Sequence, residues 1–209
     1  PETKNAAHQL GNQFSDAFYS AVTEAIEQIE HEATRQGVAS KLFATTLLFA
    51  VVRQQDNKTF ISSFWVGDGA IAVYGKDRVR LMGKPDGGEF AGQTRFLDYG
   101  CLLRDFKQRV HIGYFDDAQA VILMTDGISD PRFETDAGLE NQQKWQALWQ
   151  EIEPHLQQEQ PEQALLEWSA FFSAGHHDDR TLAILWQMLQ DDQISNMTVP
   201  DDSVGVADE

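Results

Sequence analysis

The chain has 209 residues, 42% of them hydrophobic and 11% aromatic, so it can bury one sizeable core, and its 13 Phe and 5 Trp exclude disorder for most of its length. A formal net charge of −17 opposes nucleic acid and anionic membranes, both bound mainly through Lys and Arg, and leaves cations or basic proteins as charge-compatible partners. The single cysteine, Cys101, excludes an internal disulfide, and the longest apolar run, at 42–52, falls short of the ~20 residues of a membrane span, so a cytoplasmic protein is expected.

From Pro1 to about Arg35 the apolar residues Leu10, Phe14, Phe18, Val22, Ile26 and Ile29 recur every three or four positions, the period of an amphipathic helix. Gly11 is a place where it could split, and Gly37 a C-terminal stop. The stretches 41–54 and 59–75 are β-branched and aromatic, with a turn at Asn57-Lys58, and Gly67 and Gly69 flank Asp68 where the second must turn or bulge. A short strand at 78–83 follows a Lys76-Asp77 turn. Residues 83–105 are rich in glycine and charge and read as a mobile surface excursion.

Strand character returns at 108–115 and 119–125, followed by a polar connector. Trp145, Leu148, Trp149, Ile152 and Leu156 then mark one face of a helix over 141–156, a stripe that reads as core rather than as a partner surface. A second helix is expected over 161–175, opened by Pro161 and closed by Gly175, and a last strand over 180–189. The stretch 190–209 carries six acids and no Lys or Arg, and forms an acidic tail beyond a single domain at 1–189. Strands joined by tight turns, with helices segregated from them, predict an α+β fold with antiparallel pairing.

Asp126 directly follows a strand, and Asp178 directly precedes one. If those strands pair antiparallel, both carboxylates emerge at the same sheet edge, and Asp68 sits at another strand break. Carboxylates gathered this way repel unless a cation holds them, which points to a hard ion such as Mg²⁺ or Mn²⁺. Gly127 would let backbone and water approach closely. On spacing alone, the Asp-Gly pair is equally ordinary turn chemistry.

Taken together, "TTLLFAVV", "FWVGDGAIAVY", "VILMTDGISD" and "HHDDRTLAILW" stand in an order that resembles the metal-dependent protein phosphatase 2C (PPM) family in its divergent bacterial form, over roughly residues 5–188. The resemblance implies a sandwich of two antiparallel β-sheets flanked by helices, with two Mn²⁺ or Mg²⁺ ions, or three, at one edge. By family role Asp126 and Asp178 would share one catalytic metal, beside Gly127, while Asp68 and Asp130, with Asp126, match an additional weaker site. Asp179 stands where the family often has Asn and would orient the loop. The implied reaction is in-line attack of a metal-bridging hydroxide on phosphoserine or phosphothreonine, with a phosphoprotein as substrate and a cognate kinase as a further partner.

The family's first signature, an Asp-Gly turn before the first long helix, has no counterpart here. The Asp-Gly pairs are Asp68-Gly69, Asp86-Gly87 and Asp126-Gly127, all after that helix. The resemblance thus implies a domain lacking its first strands, with half of its metal site and no catalytic group beyond metal ligands.

Competing motifs fare worse. A haloacid-dehalogenase-like nucleophile would need an aspartate where Met124 stands. "GGEFAGQT" has Gln93 in place of the P-loop lysine. His176 and His177 have no second His or Cys cluster to complete a zinc site. The rival from another class is a non-catalytic module of this fold that binds a phosphoprotein or a kinase.

Overall fold

The structure, a computed structural model, describes residues 2–55, 58–76, 78–86, 94–173, 175 and 178–187, with the side chains of 2–10, 55 and 101–103 left aside. The turn positions Asn57 and Asp77, the glycine-rich stretch 87–93, His176, His177 and the acidic tail from 188 onward lie outside the described residues.

Helix α1 (Glu2–Gln36) runs unbroken through Gly11, so the expected split does not occur. It ends at Gly37, whose φ of +68° suits a residue without a side chain. The Gly37 and Val38 N–H groups donate to the Thr34 and Ala33 carbonyls and satisfy the last turn. Among the described residues seven strands follow: β1 (Leu47–Gln55), β2 (Lys58–Val66), β3 (Ala70–Gly75), β4 (Val79–Gly83), β5 (Val110–Phe115), β6 (Ala118–Met124) and β7 (Leu182–Trp186). They form two sheets, ordered β1-β2-β5 and β4-β3-β6-β7, and every pairing is antiparallel.

Side-chain parity explains why β2, β3 and β6 read as nearly continuous apolar runs. Phe64 and Val66 of β2 pack on Phe18, Val22 and Ile26 of α1. Ile61 and Trp65 of the same strand face Ile71, Val73 and Val121 between the sheets. The other face of the second sheet, with Ala72, Tyr74, Ala120, Ile122 and Met124, packs on the helices that follow β6. The layers are therefore helix, sheet, sheet, helices, and a strand buried on both faces has no polar alternation to show.

Those helices are α3 (Asp126–Phe133), α4 (Gln142–Leu156) and α5 (Pro161–Ser169). The Trp145 stripe is core, as expected. Trp145 is fully buried, its indole N–H donates to the Leu139 carbonyl at 2.7 Å, and Tyr74 donates its hydroxyl to the Trp145 carbonyl at 2.7 Å. Burying side chains such as Ile128, Phe133 and Leu148 in this layer contributes about 1.5–3 kcal/mol each.

Three expectations are corrected. The stretch after β6 is no polar connector but α3, disguised by Gly127 and Pro131, both poor helix formers. The excursion at 83–105 is anchored at both ends. Its later part forms α2 (Tyr99–Asp105), and Asp86 and Asp105 both pair with the buried Arg109. Finally, α5 stops at Ser169, short of Gly175, because the Ser169 and Phe171 carbonyls turn to receive the Arg180 side chain.

Candidate metal centre

Sheet register delivers three carboxylates to one end of the second sheet. Ala70 pairs with Met124 across β3 and β6, so Asp68 lies just before one strand and Asp126 just after the other, at the same end. Met124 also pairs with Leu182, which brings the approach to β7, with Asp178, to that end as well.

The chain must come close together there. A Cβ on Gly69 would lie 2.5 Å from the Met124 carbonyl oxygen, so the Asp68 turn packs directly on the end of β6. A Cβ on Gly127 would lie 2.4 Å from the Asp179 oxygen and 3.1 Å from the Asp178 oxygen, so α3 begins against the backbone that leads into β7. Thr125 stitches the two segments. Its N–H donates to the Thr181 carbonyl at 3.1 Å, its hydroxyl accepts from the Thr181 N–H at 3.0 Å and donates to the Asp179 carbonyl at 3.3 Å. The contact made by Asp179 is thus through its main chain, in keeping with a part in holding the loop.

Asp126 opens α3, where the positive end of the helix dipole favours a negative charge. Its Oδ1 accepts from the Gly127 N–H at 2.8 Å. Nevertheless its carboxyl is pushed up from the ordinary range, chiefly by burial, then by the charge of Asp68 and, more weakly, by that of Asp178. Asp68 is half-buried and accepts a hydrogen bond from the Thr94 hydroxyl, and Asp178 is exposed. Asp130 lies one helical turn beyond Asp126 on α3, with its side chain exposed. A cleft of about 400 Å³ opens beside Asp178, lined by Ala170–Ser173 and by Asp179 and Arg180.

The structure therefore brings Asp68 and Asp178 each within electrostatic reach of Asp126. Hard carboxylate oxygens whose mutual repulsion a cation would relieve fit a divalent ion such as Mg²⁺ or Mn²⁺. Their number does not close a coordination sphere: among the described residues, no three His, Cys, Asp or Glu side chains are close enough together to hold one ion. The residues present thus fit one side of such a site. Sequence reasoning missed Thr125, Thr94 and Arg180, whose partners are distant in the chain. Among the described residues no helix is long and apolar enough to cross a membrane.

No curated protein matches the chain. Among solved structures it is similar to a bacterial serine phosphatase bearing an arginine-to-glutamate substitution, at 16% identity over 85% of this chain and 68% of that one, with a TM-score of 0.47. It is also similar to a C. elegans sex determining protein, at 14% identity over 78% of this chain and 44% of that one, with a TM-score of 0.48. The phosphatase domain of the cell fate determinant SpoIIE from Bacillus subtilis matches at 17% identity over 89% of this chain and 77% of that one, with a TM-score of 0.38. The family model described as Protein phosphatase 2C matches residues 2–169, most of the layered fold described above, and the chain belongs to the protein phosphatase 2C family.

Proposed function

We propose that this chain is the core of a divalent-metal-dependent protein serine/threonine phosphatase. The supporting observation is the convergence of Asp68, Asp126 and Asp178 at one sheet end, close enough to perturb Asp126, in a chain of this family. Asp126 and Asp178 would hold one Mn²⁺ or Mg²⁺, and Asp68 and Asp130 would serve a weaker neighbouring ion. A divalent ion held by these residues would supply acidification of a water and neutralisation of charge on phosphoryl oxygens. The chain's own residues do the placing. Thr125 joins the ends of β6 and β7, Gly127 admits the backbone of Asp178 and Asp179, and Thr94 holds Asp68. The cleft beside Asp178, lined by Ala170–Ser173, would receive the phosphorylated side chain of a protein substrate. Phosphoproteins, and the kinases that generate them, are the partner class.

Hydrolysis of p-nitrophenyl phosphate and of a phosphothreonine peptide, with and without Mn²⁺, tests this reading on the full-length protein. The expected result is Mn²⁺-dependent turnover that Asp126→Asn abolishes. A protein that is inert with Mn²⁺, yet binds the phosphopeptide, would be a binding module built on a phosphatase fold.

A further inference from the structure

Helix α3 contains a proline at a position that disables one of its own hydrogen bonds. In the i-to-i+4 ladder of Asp126–Phe133, the Gly127 carbonyl points toward residue 131, and Pro131 has no N–H to offer it. The proline ring also crowds that carbonyl and tilts it away from the helix axis. Gly127 is buried, so leaving its oxygen without a donor would be costly.

Arg180 supplies the donor from outside the helix. Its Nε donates to the Gly127 carbonyl oxygen at 3.1 Å. Its Nη1 donates to the Ser169 carbonyl at 2.8 Å and to the Phe171 carbonyl, and its Cζ stacks 4.0 Å from the centre of the Phe171 ring. All three acceptors are main-chain oxygens, drawn from the first turn of α3, the end of α5 and the connector beyond it. A guanidinium engaged in this way acts as a strut between main-chain segments. It also follows Asp178 and Asp179 directly in the chain, so one residue joins the segment that carries Asp178 to the helical turn that carries Asp126.

We propose that Arg180 is the positioning residue of the carboxylate edge. It replaces, on the Gly127 carbonyl, the N–H that Pro131 lacks, and so fixes Asp126 relative to Asp178. The significance of that spacing for metal binding rests on the function proposed above, but the strut itself does not.

Two measurements separate the two ideas. The first is amide hydrogen exchange of Ile128 and Ser129 in metal-free protein, since both donate to the Thr125 carbonyl in the first turn of α3, at 3.0 and 3.1 Å. Arg180→Met should speed their exchange about tenfold, as expected for a buried acceptor left unpaired. Pro131→Ala returns an N–H to the helix, so Arg180→Met in that background should change exchange by less than about twofold. A merely space-filling arginine would show no such rescue. The second measurement is Mn²⁺ affinity by calorimetry, which should fall about 10- to 100-fold in Arg180→Met and stay low in the double variant, because Pro131→Ala restores a bond within α3 but not the link to the segment of Asp178. Unchanged exchange in Arg180→Met, or exchange in the double variant as fast as in Arg180→Met, overturns the strut. If Arg180→Met does not fold, Pro131→Ala with and without Arg180→Met decides: near-equal exchange supports the strut, and a full-sized loss overturns it. Exchange behaving as described, with Mn²⁺ binding in no variant, leaves the strut standing and removes the metal reading instead.

Discussion

Gly127→Ala sets two effects of opposite sign against each other. Alanine is the better helix former, by up to about 1 kcal/mol in a helix interior and less in a first turn. Against that, the new methyl would lie 2.4 Å from the Asp179 oxygen, 3.0 Å from its carbonyl carbon and 3.1 Å from the Asp178 oxygen. Carbon and oxygen settle at about 3.3–3.6 Å, so the approach to β7 must retreat by roughly 1 Å. The obstructing atoms are backbone and cannot rotate aside. Overpacking of this kind costs about 1–3 kcal/mol. The retreat also stretches the Thr125–Asp179 and Thr181–Thr125 hydrogen bonds, now 3.3 and 3.0 Å long. Each contributes about 0.5–1.5 kcal/mol. Sterics should win, with a net loss of about 1–3 kcal/mol in urea unfolding at unchanged m-value. A Gly127→Ala chain as stable as the parent, or more stable, would show that propensity prevails and that α3 is not packed on the β7 approach as described.

Other residues yield sharper signs. Arg109 is 3% exposed and pairs with both Asp86 and Asp105, so Arg109→Met strands two carboxylates and should cost about 2–4 kcal/mol in chemical unfolding. The same arginine, above all through its side-chain hydrogen bond, holds the Asp105 carboxyl below the usual range. That stability is therefore present at neutral pH and is lost as pH falls through the lowered folded value, which Asp105→Asn should abolish in a pH series of unfolding curves. Asp126 has the opposite sign, because burial, Asp68 and Asp178 raise its carboxyl. In metal-free protein at pH 7, Asp126→Asn should therefore raise the urea midpoint, and the gain should shrink as pH falls toward the unfolded carboxyl range. Burial pushes the His111 imidazole down. The unfolded chain takes up that proton first, so stability should fall as pH drops below about 6.5, and His111→Gln should flatten that limb.

Much of the fold was legible because strand pairing and side-chain parity are local properties of the chain. Runs such as 59–75 and 119–125 carry enough β-branched and aromatic residues to be strands, and Trp145 to Leu156 keep helical period on a buried face. Antiparallel pairing of the last two strands is enough to place Asp126 and Asp178 at one edge. What stayed hidden depends on partners far away in sequence. Helix α3 contains Gly127 and Pro131, and its shortfall in helix propensity and hydrogen bonding is met by Arg180, 53 positions away. The ends of the 83–105 excursion look unstructured until Arg109 is seen to hold Asp86 and Asp105. The approach of Asp68 to Asp126 was likewise beyond spacing, because it depends on the β3–β6 register. Asp68 and Asp178 both act on Asp126, whereas Asp130 sits a helical turn away with its side chain exposed.

The most direct test of the metal assignment is calorimetric titration of Mn²⁺ into the full-length protein and its Asp126→Asn and Asp178→Asn variants. Binding should weaken at least about tenfold in each variant, as loss of a ligand must cost no less than loss of an outer-shell partner. The exposed Asp136→Asn variant should bind like the parent. Equal Mn²⁺ affinity in the parent and both ligand variants would contradict the assignment of these two aspartates to a metal.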